Sequence, residues 1–210
     1  MRAGAEPPSG EYTERARPVL EDLHNHGFEV DRISDLYNYA YEYGHVMPRL
    51  LHWLPRIDDP DIKNELARAI TDKLMRPQAA QTVLDEFPRA PVGSELQWVL
   101  GNTLATVADD SVFDEVAAIA QDRTFGQGRG RVIAALGNMK KAAHRETAID
   151  IAIAALADED PWVQAESLRL LTRRRAKRAR PQIEAQLRTL NGPFEKEMRK
   201  AFVQALARLA

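Results

Sequence analysis

The sequence predicts an all-α protein, an α–α superhelix of about five helical hairpins closed by a C-terminal capping helix. Three observations carry this expectation. Residues 158–171 read DEDPWVQAESLRLL, in which Asp160 can cap a helix start and Pro161 suits the first helical position, where its missing N–H has no partner to lose. From Val163, apolar or small residues recur at Ser167, Leu170 and Leu171, the three-and-four spacing of one helical face. The phrase then repeats: Asp59, Pro60, Ile62, Leu66, Ala69 and Ile70 each match a residue 101 positions later. That distance is about three units of 34, and periods of 20 to 50 residues mark stacked-repeat proteins. Finally, no stretch alternates apolar and polar residues long enough to make a strand.

Taken in order, residues 1–16 are polar, with Pro7, Pro8, Ser9 and Gly10 adjacent, and read as a mobile tail; residues 17–210 read as one domain. A short helix is expected over 17–26, ending near Gly27. From Asp31 a second helix carries Ile33, Leu36, Tyr37, Ala40 and Tyr41 on one stripe, with Gly44 as its left-handed terminator. Pro48 opens a third, bearing Leu50, Leu51, Trp53 and Leu54 and closed by Pro55, so that these two helices form a first hairpin. Four units follow whose first helices share a register at Ile70, Leu104, Leu136 and Leu171, with Leu206 in a final half unit. Four residues before each anchor stands Leu66, Leu100, Val132, Ser167 or Phe202. Second helices are expected at 78–87, 112–122, 146–157 and 180–190. The last helix, 194–209, reads as a cap whose outward side is supplied by Lys196, Arg199, Lys200 and Arg208. Gly101 and Gly137, both within Leu-Gly-Asn, fit places where a neighbouring helix comes close.

Composition narrows the function classes. The chain is 210 residues, 44% hydrophobic and 29% charged, long enough for an extended core. It has no apolar run near the roughly 18–20 residues that span a bilayer, and its N-terminus has no apolar centre resembling a signal peptide, so a cytoplasmic location is expected. The lack of cysteine removes disulfides, thiolate nucleophiles and Cys-type zinc sites. A net charge of −2 conceals a polarity: residues 1–123 hold 12 Lys+Arg against 22 Asp+Glu, and residues 124–210 hold 17 against 9. Such polarity steers partners or drives contact between copies.

The period near 34, the Asp-Pro-x-Ile and Asp-Pro-x-Val openings, Asp109-Asp110-Ser111-Val112 and Ala134-Ala135-Leu136-Gly137 resemble HEAT repeats of the short bacterial kind. They are similar to the HEAT-like repeats first described in phycobilisome-lyase relatives, over about residues 30–210. The resemblance implies an α-solenoid of armadillo type whose second helices line a concave face used for binding, usually to other proteins. The pattern departs at 126–130, where glycines replace the Asp-Pro opening.

Candidate chemistry is sparse. No pair among His24, His26, His45, His52 and His144 has the i, i+4 spacing of two ligands on one helix, and no metal or cofactor is expected. The segment 126–130, GQGRG, is too short and lacks a preceding strand for a phosphate cradle. Tyr37, Tyr39, Tyr41 and Tyr43 spread around their helix, some of them forming either a sticky end surface or simple exposure. The basic run Arg173, Arg174, Arg175, Lys177, Arg178 and Arg180 falls at a turn between helices, where it complements a helix C-terminus or meets an anion, an acidic protein or a nucleic-acid backbone. HEAT-like folds also house alkylpurine DNA glycosylases, which would employ Trp53, Trp98 and Trp162 with Asp109 or Asp110. The assignable inner-face positions are Gln81, Asp85, Asp114, Gln121, Asp150 and Gln182, however, and a DNA groove of that charge repels its ligand. Trp98 lies off its helix stripe and either covers the neighbouring unit or stands out as an interface anchor; Trp162 presents the same choice beside the acidic 158–160 loop.

The expectation is therefore a non-catalytic interaction module, an adaptor, scaffold or inhibitor. It binds a protein with a basic surface through Gln81, Asp85, Asp114, Ala118, Gln121, Asp150 and Ala154, joined by Trp98 and Trp162. Nucleic-acid binding is the competing class, and a membrane is not an expected partner.

Overall fold

The computed structural model describes residues 8–38, 43–190 and 195–209, and all regular structure among them is helical. Eleven α-helices are described there: α1 Gly10–Asn25, α2 Tyr43–Trp53, α3 Pro60–Ile70, α4 Ala80–Glu86, α5 Glu95–Val107, α6 Phe113–Gln121, α7 Gly128–Leu136, α8 Ala142–Ala155, α9 Pro161–Arg173, α10 Arg180–Thr189 and α11 Lys196–Arg208. None of the described helices is long and apolar enough to cross a membrane.

The helix starts follow the chemistry of their caps. Asp59 accepts the N–H groups of Asp61 and Ile62 ahead of α3, and Asp160 accepts those of Trp162 and Val163 ahead of α9. Each satisfies donors that have no partner within the helix, and a proline fills the first helical position. Ser94 caps α5 in the same way, through the Gln97 N–H. At α7 no side chain caps the start.

Packing places the odd-numbered helices side by side. Helix α3 lies on α5, α5 on α7, α7 on α9 and α9 on α11, while α4, α6, α8 and α10 each pack on the first helix of the next unit. The register residues explain this order. Ile70, Leu104, Leu136 and Leu171 are fully buried, as are Leu66, Leu100, Val132, Ser167 and Phe202 one turn earlier; Leu206 is partly buried. Ser167, the polar member, donates to the Val163 carbonyl one turn back, so its burial leaves no donor unpaired. One continuous core runs from Tyr12 to Leu209.

Several expected boundaries move. Helix α1 begins at Gly10, capped by Ser9, so residues 10–16 are helical instead of tail, and Tyr12 and Ala16 are buried. Tyr12 is held by donating its hydroxyl to Glu65 and accepting the Ile33 N–H. The expected helix from Asp31 is a 3₁₀ segment at Ile33–Asn38; Tyr39, Ala40, Tyr41 and the side chain of Tyr43 lie outside the described residues. Gly44 terminates nothing, because α2 runs from Tyr43 to Trp53 and carries both Gly44 and Pro48 inside it. Tyr37 donates its hydroxyl to the Glu65 carbonyl. Helix α8 starts at Ala142, four residues early. Residue 194 is outside the described part, and α11 runs from Lys196. Arg199 does not point freely outward: its guanidinium donates to the Leu187 and Leu190 carbonyls at the end of α10.

Gly101 sits where α5 and α7 close on one another. A Cβ there would lie 2.8 Å from Arg131 Cβ and 3.3 Å from the Phe87 ring, neither of which can swing away cheaply. In an exposed helix Gly→Ala gains about 1 kcal/mol. Here Gly101→Ala is expected to lose on the order of 1–2 kcal/mol through overpacking, read as a lower urea midpoint at unchanged slope. A higher midpoint would contradict the close approach.

Candidate functional site

The site is built on α7, whose sequence opens Gly128-Arg129-Gly130-Arg131. Residues two apart on a helix point to nearly opposite sides, so the two arginines part company. The glycines decide how close the neighbours come. A Cβ on Gly128 would fall 2.6 Å from Gln97 Oε1 on α5, and one on Gly130 would fall 3.2 Å from the backbone oxygen of Trp162 on α9. The glycines at 126–130 thus let α7 seat between α5 and α9, and Gly126 itself takes a positive φ of 54° in the turn before it.

Arg129 turns inward and is 5% exposed. It donates to Asp158 Oδ2 at 2.6 Å, to the Gly126 carbonyl and to the Ala120 carbonyl at the end of α6. Asp158 in turn accepts the Asp160 N–H, and its carbonyl accepts the Gln164 side-chain amide. One buried ion pair therefore fixes the loop whose Asp160 starts α9. Burial alone would raise the Asp158 carboxyl; the Arg129 hydrogen bond, the Asp160 N–H and the charges of Arg129 and Arg123 outweigh it and hold it below the usual range.

Arg131 turns outward between two indoles. Its guanidinium carbon stands 5.0 Å from the Trp98 ring centroid and 5.7 Å from that of Trp162, and Arg169 lies 6.0 Å from the other side of the strip at Trp162. Glu166, buried on α9, accepts from both Arg131 and Arg169. Trp98 is 39% and Trp162 48% exposed. Past Arg169, a groove of about 590 Å³ separates α9 from α11, lined by Arg169, Arg173, Arg175 and Arg208 over Ala165, Leu168, Ala201 and Ala205.

The residues expected to bind a partner divide between two surfaces. Gln81, Asp85, Asp114, Ala118, Gln121, Asp150 and Ala154 are all exposed on second helices, apart from the tryptophan strip on first helices. Gln81, Asp85 and Ala118 share a groove between α4 and α6 with Leu84, Pro88, Arg89, Glu115 and Ile119. Gln81 donates to Asp85, and Gln121 folds back onto the Ala117 carbonyl. Asp150 is not a free acid: Arg178 bridges it and Glu146.

The basic run likewise separates. Arg174 donates to the Gly137 and Met139 carbonyls at the end of α7, and Arg180 to the Leu206 carbonyl. With Arg178 on Asp150, these three tie neighbouring units together, while Arg173 and Arg175 line the groove and Lys177 is exposed. Gly137 is a close-approach site, but what approaches is the Arg173 guanidinium, not a helix.

The tryptophans are not a trio. Trp53 donates to Asp22 on α1, alongside Arg49. Asp109 accepts from Ser111 at a turn, and Asp110 accepts the Lys140 and Lys141 N–H groups and contacts His144, which stacks on Phe113 at 4.0 Å. Among the described residues no group of three or more His, Asp or Glu is arranged to hold a metal ion. Comparisons of the chain with protein-family models, with curated proteins and with solved structures return no match.

Asp158→Asn leaves Arg129 buried without a counter-charge and is expected to lose on the order of 3–5 kcal/mol at neutral pH. The lowered folded-state value makes the pair's contribution complete above the unfolded carboxylate value near 4 and lost as pH falls through the folded one. Urea midpoints at about pH 7 and about pH 3 should therefore fall further for the wild type than for Asp158→Asn. Equal falls would show that another group carries the linkage.

Proposed function

We propose that the chain is a HEAT-like α-solenoid of the short bacterial kind, acting in the cytoplasm as a non-catalytic protein-interaction module, an adaptor, scaffold or inhibitor. The side-by-side order of α3, α5, α7, α9 and α11, with α4, α6, α8 and α10 each packed on the next member, supports this reading. The second helices then form the concave face. A preformed surface of this kind loses little conformational entropy on binding.

The observation that carries the partner's chemistry is the open groove between α4 and α6, about 490 Å³, with Leu84, Pro88 and Ile119 as apolar surface and Asp85 and Glu115 at its edges. Arg89 in the same groove pairs with the buried Glu86, which it shares with Lys63. Asp114 on the same helix face as Ala118 extends the acidity. A basic, partly apolar protein segment fits. Because Arg178 already compensates Asp150, the acidic contact is confined to α4 and α6 instead of running the length of the face.

The test is a photo-crosslinking residue at Ala118 in the full chain, exposed to native lysate. The double variant Asp85→Lys with Asp114→Lys is expected to abolish the crosslinked partner with far-UV circular dichroism unchanged. A crosslinked product insensitive to both substitutions would reject this surface.

A further inference from the structure

The strip on the first helices is chemically unlike the acidic groove. We propose that it is a second binding site and that its ligand is single-stranded nucleic acid.

Two kinds of group are brought together there. Trp98 and Trp162, two of the few large hydrophobic side chains left exposed, offer indole surface from α5 and α9. Arg131 between them and Arg169 beside Trp162 keep that surface cationic. The strip then runs directly into the groove between α9 and α11, because Arg169 belongs to both. No carboxylate lines that groove, and among the described residues Arg173, Arg175 and Arg208 have no acidic partner within ion-pair distance. Glu166 is the one acid of the strip, and it is buried beneath Arg131 and Arg169.

Each part selects a feature of an unpaired strand. Indoles stack on base planes that a duplex keeps inside, and guanidinium forks pair with successive phosphates. An acidic peptide would satisfy the arginines but brings no flat π-surface for the indoles. The dimensions agree: residues 162–173 of α9 rise about 16 Å at 1.5 Å each, the length of roughly five stacked nucleotides. The small residues Ala165, Ala201 and Ala205 keep the floor low enough for a backbone to lie between the arginines.

The experiment is fluorescence anisotropy of the full chain with labelled oligothymidylate and oligouridylate, about 12 nucleotides long, between about 50 and 200 mM salt. Binding of at least one strand is expected, with quenching of tryptophan emission and affinity falling steeply as salt rises. Trp162→Ala should weaken it roughly tenfold or more, with Trp162→Phe retaining most of the affinity. Arg175→Gln with Arg208→Gln, both exposed in the groove, should flatten the salt dependence. No binding at the lower salt, equal binding of a duplex of the same length, equal competition by a polyglutamate peptide, or indifference to Trp162→Ala in a folded variant would each overturn the assignment.

Discussion

Helix α7 lies nearer to both neighbours than ordinary side chains allow, and much of the molecule's surface chemistry depends on that closeness. Gly101 on α5 accepts the stem of Arg131, while Gly128 and Gly130 on α7 accept Gln97 and the Trp162 backbone. Glycine in a helix costs about 1 kcal/mol of propensity relative to alanine, so three such positions at one junction are retained against local preference. The offset comes from packing, since α5, α7 and α9 form the most extensive helix contacts in the chain. The buried Arg129–Asp158 pair then sets where α9 begins, because Asp158 holds the N–H of the very residue that caps it. A pair of this kind contributes more to register than to net stability, since desolvation offsets much of its attraction.

The same helical geometry sorts the charges. With arginines at alternate positions on α7, one enters the core and the next lies partly buried between the indoles, so the inner ion pair and the arginine–indole stack come from one short stretch. Around α7 this yields an aromatic and cationic face; on α4 and α6 the exposed positions are acidic, small or glutamine. The contrast between the acidic first part of the chain and the basic remainder is therefore not spread evenly over the molecule. Part of the basic excess is consumed internally, where Arg174, Arg178 and Arg180 join successive units.

The helical class and the burial of Ile70, Leu104, Leu136 and Leu171 were legible from periodicity and capping residues, because both are local. What escaped was set by contacts distant in sequence. The start of α1 at Gly10 depends on Tyr12 finding Glu65 and Ile33. The Gly44 and Pro48 signals failed because α2 overlaps both. At the candidate site, Arg129, Arg131, Arg169 and Glu166 escaped, since an arginine alone carries no sign of which neighbour it meets. The available clue was Gly128-Arg129-Gly130-Arg131: glycines inside a helix mark close approach, and the residues beside them must then face in opposite directions. The pairing of Asp150, expected on the binding face, escaped for the same reason, its partner Arg178 being 28 residues away.

Helix α7 delivers Arg131 between two indoles, one from α5 and one from α9. Nuclear Overhauser contacts from the Arg131 side chain, in a sample labelled at arginine and tryptophan, test it most directly. Contacts to both the Trp98 and the Trp162 rings, with the Arg131 δ-methylene protons shifted upfield by the ring currents, are the predicted result. Contacts to one indole alone, or an Arg131 resonance with the shifts of a solvated arginine, would contradict the account.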